Sequence, residues 1–264
     1  MNTPTYSLGT NDEEQKRLHR QRELYGDTVN LHFPETATVC EIGSGAGANL
    51  WIAQQTRRGR YIGIDAEAKQ NKAAARHANA LGLTNVELHT APGHRTGLDS
   101  ASVDIAFCRC VLIHQPDPAP LVDEMYRITR PGGRIIIIEP HDASYYCGPH
   151  KPYLMKCFRA RARHVYGFGR GSPEVALNLY SLLTNRGVGQ LRVTPHVITV
   201  TGREYDRCKA FLNNWAQIIA TVSSDLLGAN VISRRDLKLA QEEAGTVAPE
   251  TFICQIMWIA EATK

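Results

Sequence analysis

Apolar residues along this chain follow two rhythms. Short strand-like stretches stand at 37–42, 60–65, 85–90, 102–108 and 134–139, and Ile62-Gly63-Ile64 and Ile135-Ile136-Ile137-Ile138 carry no polar alternation. Strands without alternation are those buried on both faces, as in a parallel sheet. Stretches with helical spacing separate them at 46–57, 67–81 and 118–129. Strand and helix therefore alternate, which predicts an α/β fold with a doubly wound, mostly parallel sheet and helices on both faces. Right-handed crossovers then bring the ends of the first four strands to one edge, where ligands bind.

Beyond residue 140 the pattern changes. Residues 143–173 contain no Asp or Glu but carry Lys151, Lys156, Arg159, Arg161, Arg163 and Arg170, while Leu154, Phe158, Ala162 and Val165 share one helical face. This predicts an amphipathic helix inserted after the fifth strand: a solvated cationic face, or a lid attracting an anionic or electron-rich aromatic molecule. Ser172-Pro173-Glu174 starts a further helix and Asn185-Arg186-Gly187 stops it. A strand at about 191–200, helices at 203–228 and 234–244, and a closing strand at 251–261 bring the sheet to seven strands. Residues 11–25 read as a helix whose only apolar residues are Leu18, Leu24 and Tyr25, so it lies on its own domain, a ligand or another subunit. The domain reading is a capping helix region at 1–32, a core at 33–140, an inserted basic and aromatic cap at 141–171, and the rest of the core at 172–264 with a helical lid at about 203–245.

Composition narrows the function. A chain of 264 residues with 43% hydrophobic content can bury a full core, and a net charge of +4 makes no global case for nucleic acid. The first residues show no basic-then-apolar leader and no run reaches membrane-span length, so a cytoplasmic protein without membrane association is expected. Seven cysteines without a C-x-x-C pair point to reduced thiols. Cys108-x-Cys110 lacks a matching second ligand pair, so no metal site is expected.

The chemistry gathers at Glu41-x-Gly43-x-Gly45-x-Gly47, where an apolar run meets a glycine turn that opens a helix. The glycines let a ligand approach the backbone, and the following helix offers free N–H groups. Gly43-x-Gly45-x-x-Ala48 with Asp65 downstream also satisfies the dinucleotide fingerprint. Glu41 discriminates, because a carboxylate there repels a pyrophosphate and attracts an ammonium and a sulfonium. With Tyr61–Asp65, Val103–Cys108 and Arg130–Glu139, this motif resembles the class I SAM-dependent methyltransferases over roughly residues 37–140. The rest is similar more loosely to small-molecule methyltransferases of the ubiquinone/menaquinone type and their bacterial secondary-metabolism relatives.

That resemblance implies a Rossmann-like core with a helical cap and S-adenosyl-L-methionine (SAM) as cofactor. It implies Glu41, Gly43, Ser44 and Gly45 at the methionine end, Asp65 on both ribose hydroxyls, Ala66 against the adenine, and Cys108-Arg109-Cys110 beneath the cofactor. It also brings the N-terminal helix over the cleft, with Tyr6, Arg17 and Gln21 near ligand. Where the family commonly has Gly-Asp after the third strand, this chain reads Pro92-Gly93-His94, so adenine recognition falls to backbone groups or to His94. His114 and His141 follow the fourth and fifth strands as candidate general bases, His114 being placed nearer the sulfonium by the family geometry. Tyr153, Phe158, Tyr166, Phe168, Phe211 and Trp215 are the candidate acceptor-binding residues. The expected function is methyl transfer to an apolar or aromatic natural product, such as a terpenoid, alkaloid, quinone or polyketide, with carbon slightly favoured over oxygen or nitrogen. A homo-oligomer through the N-terminal helix is a further expectation. The alternatives are a nucleic-acid methyltransferase, an NAD-dependent oxidoreductase and a non-catalytic SAM sensor.

Overall fold

The five strand-like stretches become five parallel strands in a computed structural model of the protein: β1 (Thr38–Ile42), β2 (Arg60–Asp65), β3 (Val86–Thr90), β4 (Val103–Arg109) and β5 (Thr129–Pro140). The structure describes Arg17, Arg20, Gln21, Leu24, Tyr25, residues 31–166 and residues 171–264, without the side chains of Val165 and Tyr166. Tyr6, Phe168, the Tyr166 side chain and most of the helix read at 11–25 lie outside the described residues. Arg17, Arg20, Gln21, Leu24 and Tyr25 are helical, as that reading expects.

The sheet runs β3-β2-β1-β4-β5-β8 and is closed by β7 (Leu191–Thr201), which pairs antiparallel with β8 (Phe252–Thr263). β8 also pairs antiparallel with β5. The seven-strand expectation is one short: a three-residue strand, β6 (Tyr146–Gly148), pairs with β8 beyond the end of β5 and makes eight. Helices α1 (Trp51–Gln55), α2 (Ala68–Ala80) and α3 (Ala119–Ile128) are the crossovers between the parallel strands. α1 is shorter than the 46–57 expected, because backbone turns from Gly47 N to Ser44 O and from Leu50 N to Gly47 O occupy its first residues. Pro131-Gly132-Gly133 forms a bulge inside β5: Thr129 pairs with Val103 but Arg134 with Ile105.

The remaining helices are α4 (Pro152–Arg161), continued as a π-helical turn through Tyr166, α5 (Val175–Thr184), α6 (Tyr205–Thr221), α7 (Ser223–Gly228) and α8 (Arg234–Gly245). The single helix expected at 203–228 is thus two, broken at Val222. α4 and α6 enclose an aromatic core of their own. Phe158 lies 5.2 Å from Trp215 and 4.6 Å from Tyr145, ring centroid to centroid, and Phe211 packs on Tyr25 at 5.8 Å. Among the described residues no helix is long and apolar enough to cross a membrane, and no group of three His, Cys, Asp or Glu could hold a metal ion.

Candidate active site

The sheet's ligand edge opens into a cavity of about 430 Å³. Its floor is the turn after β1. Gly43 N–H and Ser44 N–H both donate to Ile64 O, at 2.7 and 3.0 Å, which ties the turn to the end of β2. Gly43 has φ +76°, and a Cβ there would stand 2.4 Å from Val111 Cγ2. At Gly93 a Cβ would meet Ile42 Cγ2 at 2.6 Å. Both positions keep the floor thin only because they are glycine.

Asp65 ends β2 and faces the cavity half-buried. Its Oδ2 accepts from Gly45 N–H and its Oδ1 from Glu67 N–H, each at 2.9 Å. These bonds fix the carboxylate and leave each oxygen a further lone pair. Burial raises its pKa, opposed by both backbone donors.

Glu41 lies differently from the expectation. It is fully buried behind the floor and does not line the cavity; its carboxylate accepts from the Tyr61 hydroxyl and, at 2.6 Å, from Asn49 Nδ2. Burial pushes its pKa up to about 7, although both hydrogen bonds and Arg109 pull the other way. Asn49 is the relay: its Oδ1 accepts from Arg109 Nη1 at 3.2 Å, and Asn49 and Arg109 both face the cavity.

A second fixed carboxylate shapes the roof. Glu139, fully buried in β5, accepts from the backbone N–H groups of Val111, Leu112 and Ile113 at 2.8, 2.7 and 3.3 Å. This pins the segment after β4 that carries Val111, Ile113 and His114 to the cavity. Burial raises its pKa to about 7 against those three donors. His114 lines the cavity, and desolvation, followed by Arg161 and Arg17, drives its pKa down to about 3. Its imidazole is therefore a weaker base than the expectation required.

The other expected residues divide. Gly43, Ser44, Gly45, Ala66, Gly93, Arg109 and Phe158 line the cavity with Asp65 and His114, and so do Arg17 and Gln21. Pro92 and Tyr153 are not in its wall, and His94 is exposed. His141 points elsewhere, with Nε2 3.8 Å from Glu174 Oε2. Phe211 and Trp215 are fully buried and back the wall without reaching it, because α6 turns them into the aromatic core while Ile218 reaches the cavity. Sequence reasoning missed Tyr145, Asp142, Asn49, Gln70 and Glu139. Glu139 was visible as the end of the Arg130–Glu139 motif; the others carry no local signal.

Residues 40–137 match the family model described as a methyltransferase domain. That stretch is a methyltransferase domain within the longer chain. An arsenite methyltransferase of Halobacterium salinarum is 33% identical to the chain over 103 residues, 38% of this chain and 26% of that protein. The curated relatives are matched over 26% to 52% of their own length. Among solved structures, the YcgJ protein of Bacillus subtilis superposes with a TM-score of 0.55 at 18% identity, covering 95% of this chain and 99% of that one. A phosphoethanolamine N-methyltransferase of Haemonchus contortus, solved with S-adenosylhomocysteine, gives 0.58 at 13% identity over 100% of this chain and 60% of that one. The matched stretch ends within β5, so α4 to α8 all lie outside it.

The floor fits SAM. A thin glycine turn, an open Asp65 carboxylate and the cavity between them suit a nucleoside whose ribose presents two hydroxyls.

Proposed function

We propose that this protein transfers a methyl group from SAM to a small natural product with an apolar or aromatic body, carbon being favoured over oxygen or nitrogen as the acceptor atom. The supporting observation is the single cavity that runs from Gly43, Gly45 and Asp65 to the aromatic wall of Tyr145 and Phe158. Bound SAM supplies an electrophilic methyl: the acceptor's electron pair forms the new bond while the carbon–sulfur bond breaks with its pair going to sulfur. The chain's part is alignment and exclusion of water. Asp65 and the glycine turn hold the donor; Val111 and Ile113, pinned by Glu139, form the roof; Tyr145 and Phe158 take the acceptor's flat body.

The neutral, weakly basic His114 favours a nucleophile that needs no strong base. Attack by a carbon π system leaves an acidic cation whose proton passes readily to water or to a weak base, whereas a neutral hydroxyl must lose its proton during attack. The test is turnover of methyl-labelled SAM against a panel of electron-rich aromatic and terpenoid acceptors, with products located by NMR. Label on carbon of an apolar acceptor is the expected result. Efficient transfer to a small polar metabolite, with no transfer to any apolar acceptor, overturns the acceptor class. Binding of NADH but not SAM overturns the reaction.

A further inference from the structure

Two residues in the cavity wall carry a buried side-chain oxygen with no hydrogen-bond partner among the described residues: Ser44, through Oγ, and Gln70, through Oε1. They are 3% and 4% exposed. A polar atom left unpaired in the interior is costly, so each calls for a partner that binding supplies. Ser44 belongs to the glycine turn that already holds the donor. Gln70 stands apart as the third residue of α2. A glutamine at that position ordinarily reaches back to the N–H of the residue capping the helix. Here the capping residue is Glu67, and its N–H donates to Asp65 Oδ1 at 2.9 Å. The amide oxygen of Gln70 is thereby left over, on a residue that shares the cavity with Asp65.

The order of the strands says which part of the donor lies beside Gln70. α2 joins β2 to β3, on one side of β1, whereas Val111, His114 and Tyr145 follow β4 and β5 on the other. The acceptor wall of Tyr145 and Phe158 belongs to that second side, so the sulfonium of SAM turns toward it. With the ribose at Asp65, the adenine is left for the first side, where Ala66, Glu67, Gln70 and Gly93 line the cavity. Adenine carries an exocyclic amine whose N–H groups need acceptors once water is excluded. The loop after β3 offers no side chain for this: Pro92 is not in the wall, Gly93 has no side chain, and His94 is exposed. Glu67 is exposed as well, and Gln70 is buried.

We propose that Gln70 reads the adenine of SAM, its Oε1 accepting from the exocyclic amine. This rests on the methyltransferase reading and deepens it by naming the group that selects the donor's base. The end torsion of a glutamine side chain is broad, and Oε1 gives up no hydrogen bond when it turns onto the ligand. An amide also closes under the base without the desolvation cost of a second carboxylate near Asp65. A nucleoside lacking the amine leaves Oε1 unpaired in a site from which water has gone, and the selection follows from that loss.

Calorimetric titration of S-adenosylhomocysteine, and of its analogue with hydrogen in place of the exocyclic amine, tests this. The two ligands differ only in the donor assigned to Gln70. The unaltered protein is expected to bind S-adenosylhomocysteine about tenfold more tightly, within the range for leaving a buried acceptor unpaired. Q70M keeps the side chain's length and a good helix former but removes the amide, and should bring the two ligands to within about twofold of one another. Q70E keeps an acceptor and should keep the preference, so the test does not hang on one variant folding. Taking the ratio of the two ligands within each protein cancels any difference in stacking between their bases. Equal binding of the pair by the unaltered protein, a preference that survives in Q70M, or one that Q70E loses overturns the proposal. Failure of S-adenosylhomocysteine to bind the unaltered protein is a separate result, because it removes the methyltransferase reading first.

Discussion

Gly43→Ala tests whether the roof and the floor of the cavity are locked together. The substitution carries two costs. Alanine at φ +76° sits in the left-handed region, at about 1–2 kcal/mol. The new Cβ would lie 2.4 Å from Val111 Cγ2, 3.2 Å from Cγ1 and 3.4 Å from Cβ, so rotating the valine exchanges one close methyl for another. Nor can the backbone at 111 retreat freely, because its N–H is held by Glu139 at 2.8 Å. Forced overpacking of this kind costs about 1–3 kcal/mol, giving a sum of roughly 2–5 kcal/mol. Gly132→Ala is the control: it has the same φ of +76° but nothing within 4 Å of the added Cβ, so it carries the strain alone, about 1–2 kcal/mol. At roughly 2–4 °C per kcal/mol for a chain somewhat smaller than this one, thermal melts should place G43A several degrees below G132A. Calorimetry with S-adenosylhomocysteine should show weakened binding in G43A and unchanged binding in G132A. If the two variants melt together, Val111 yields without cost and the account of a pinned roof is wrong.

Asp65→Ala should weaken S-adenosylhomocysteine binding roughly 10- to 150-fold, the equivalent of about 1.5–3 kcal/mol for hydrogen bonds to a charged group; an unchanged Kd would remove Asp65 from the ribose site. Glu41 gives a pH signature: its folded pKa of about 7 lies above its ordinary 4.5. The folded state then keeps a proton that the unfolded chain has lost, so the contribution is present below about 4.5 and lost as pH rises through about 7, on the order of 3 kcal/mol. Glu41→Gln should therefore gain on the parent protein between those pH values in denaturant melts, and parallel curves would refute the shift. His114 has the opposite sign. With its pKa lowered from 6.5 to about 3, its stabilisation is present above 6.5 and lost as pH falls toward 3, and an NMR titration of its ring protons should show no protonation between pH 5 and 8.

Much of the donor half was legible in the sequence. β1, β2 and β4 are buried on both faces, and such strands leave an unbroken apolar run whose ends fall within a residue or two of the observed ones. The glycine turn and Asp65 could be read because their spacing is local and the backbone itself imposes it. What could not be read depends on distant pairings. Arg161 meets Asp142 across 19 positions with no periodic relation, and Asn214 approaches Arg17 across 197. Helical spacing put Phe158 on an inward face, yet inward here means both cavity and core: Phe158 lines the cavity, while Phe211 and Trp215 stay in the core behind it. β6 escaped because three residues cannot display a period. Glu41 was found, but it lies behind the floor with Tyr61 and Asn49 as its partners, since a buried carboxylate takes the nearest donors.

The place of β8 has a consequence for how the chain reaches this shape. β8 lies between β5 and β7 and pairs with three strands, although every one of its partners precedes it in sequence. Until it inserts, the Ile135–Ile138 edge of β5 has no neighbour on that side, and Ile137 must wait for Ala260. An open, isoleucine-rich edge is a template for the wrong strand, including one from another molecule. Non-local closure of this kind is slow relative to assembly of β1–β5, whose contacts are nearer in sequence. Refolding yield should therefore fall with protein concentration, and a peptide spanning 252–263, supplied in excess, should compete for the vacant edge and slow the final step.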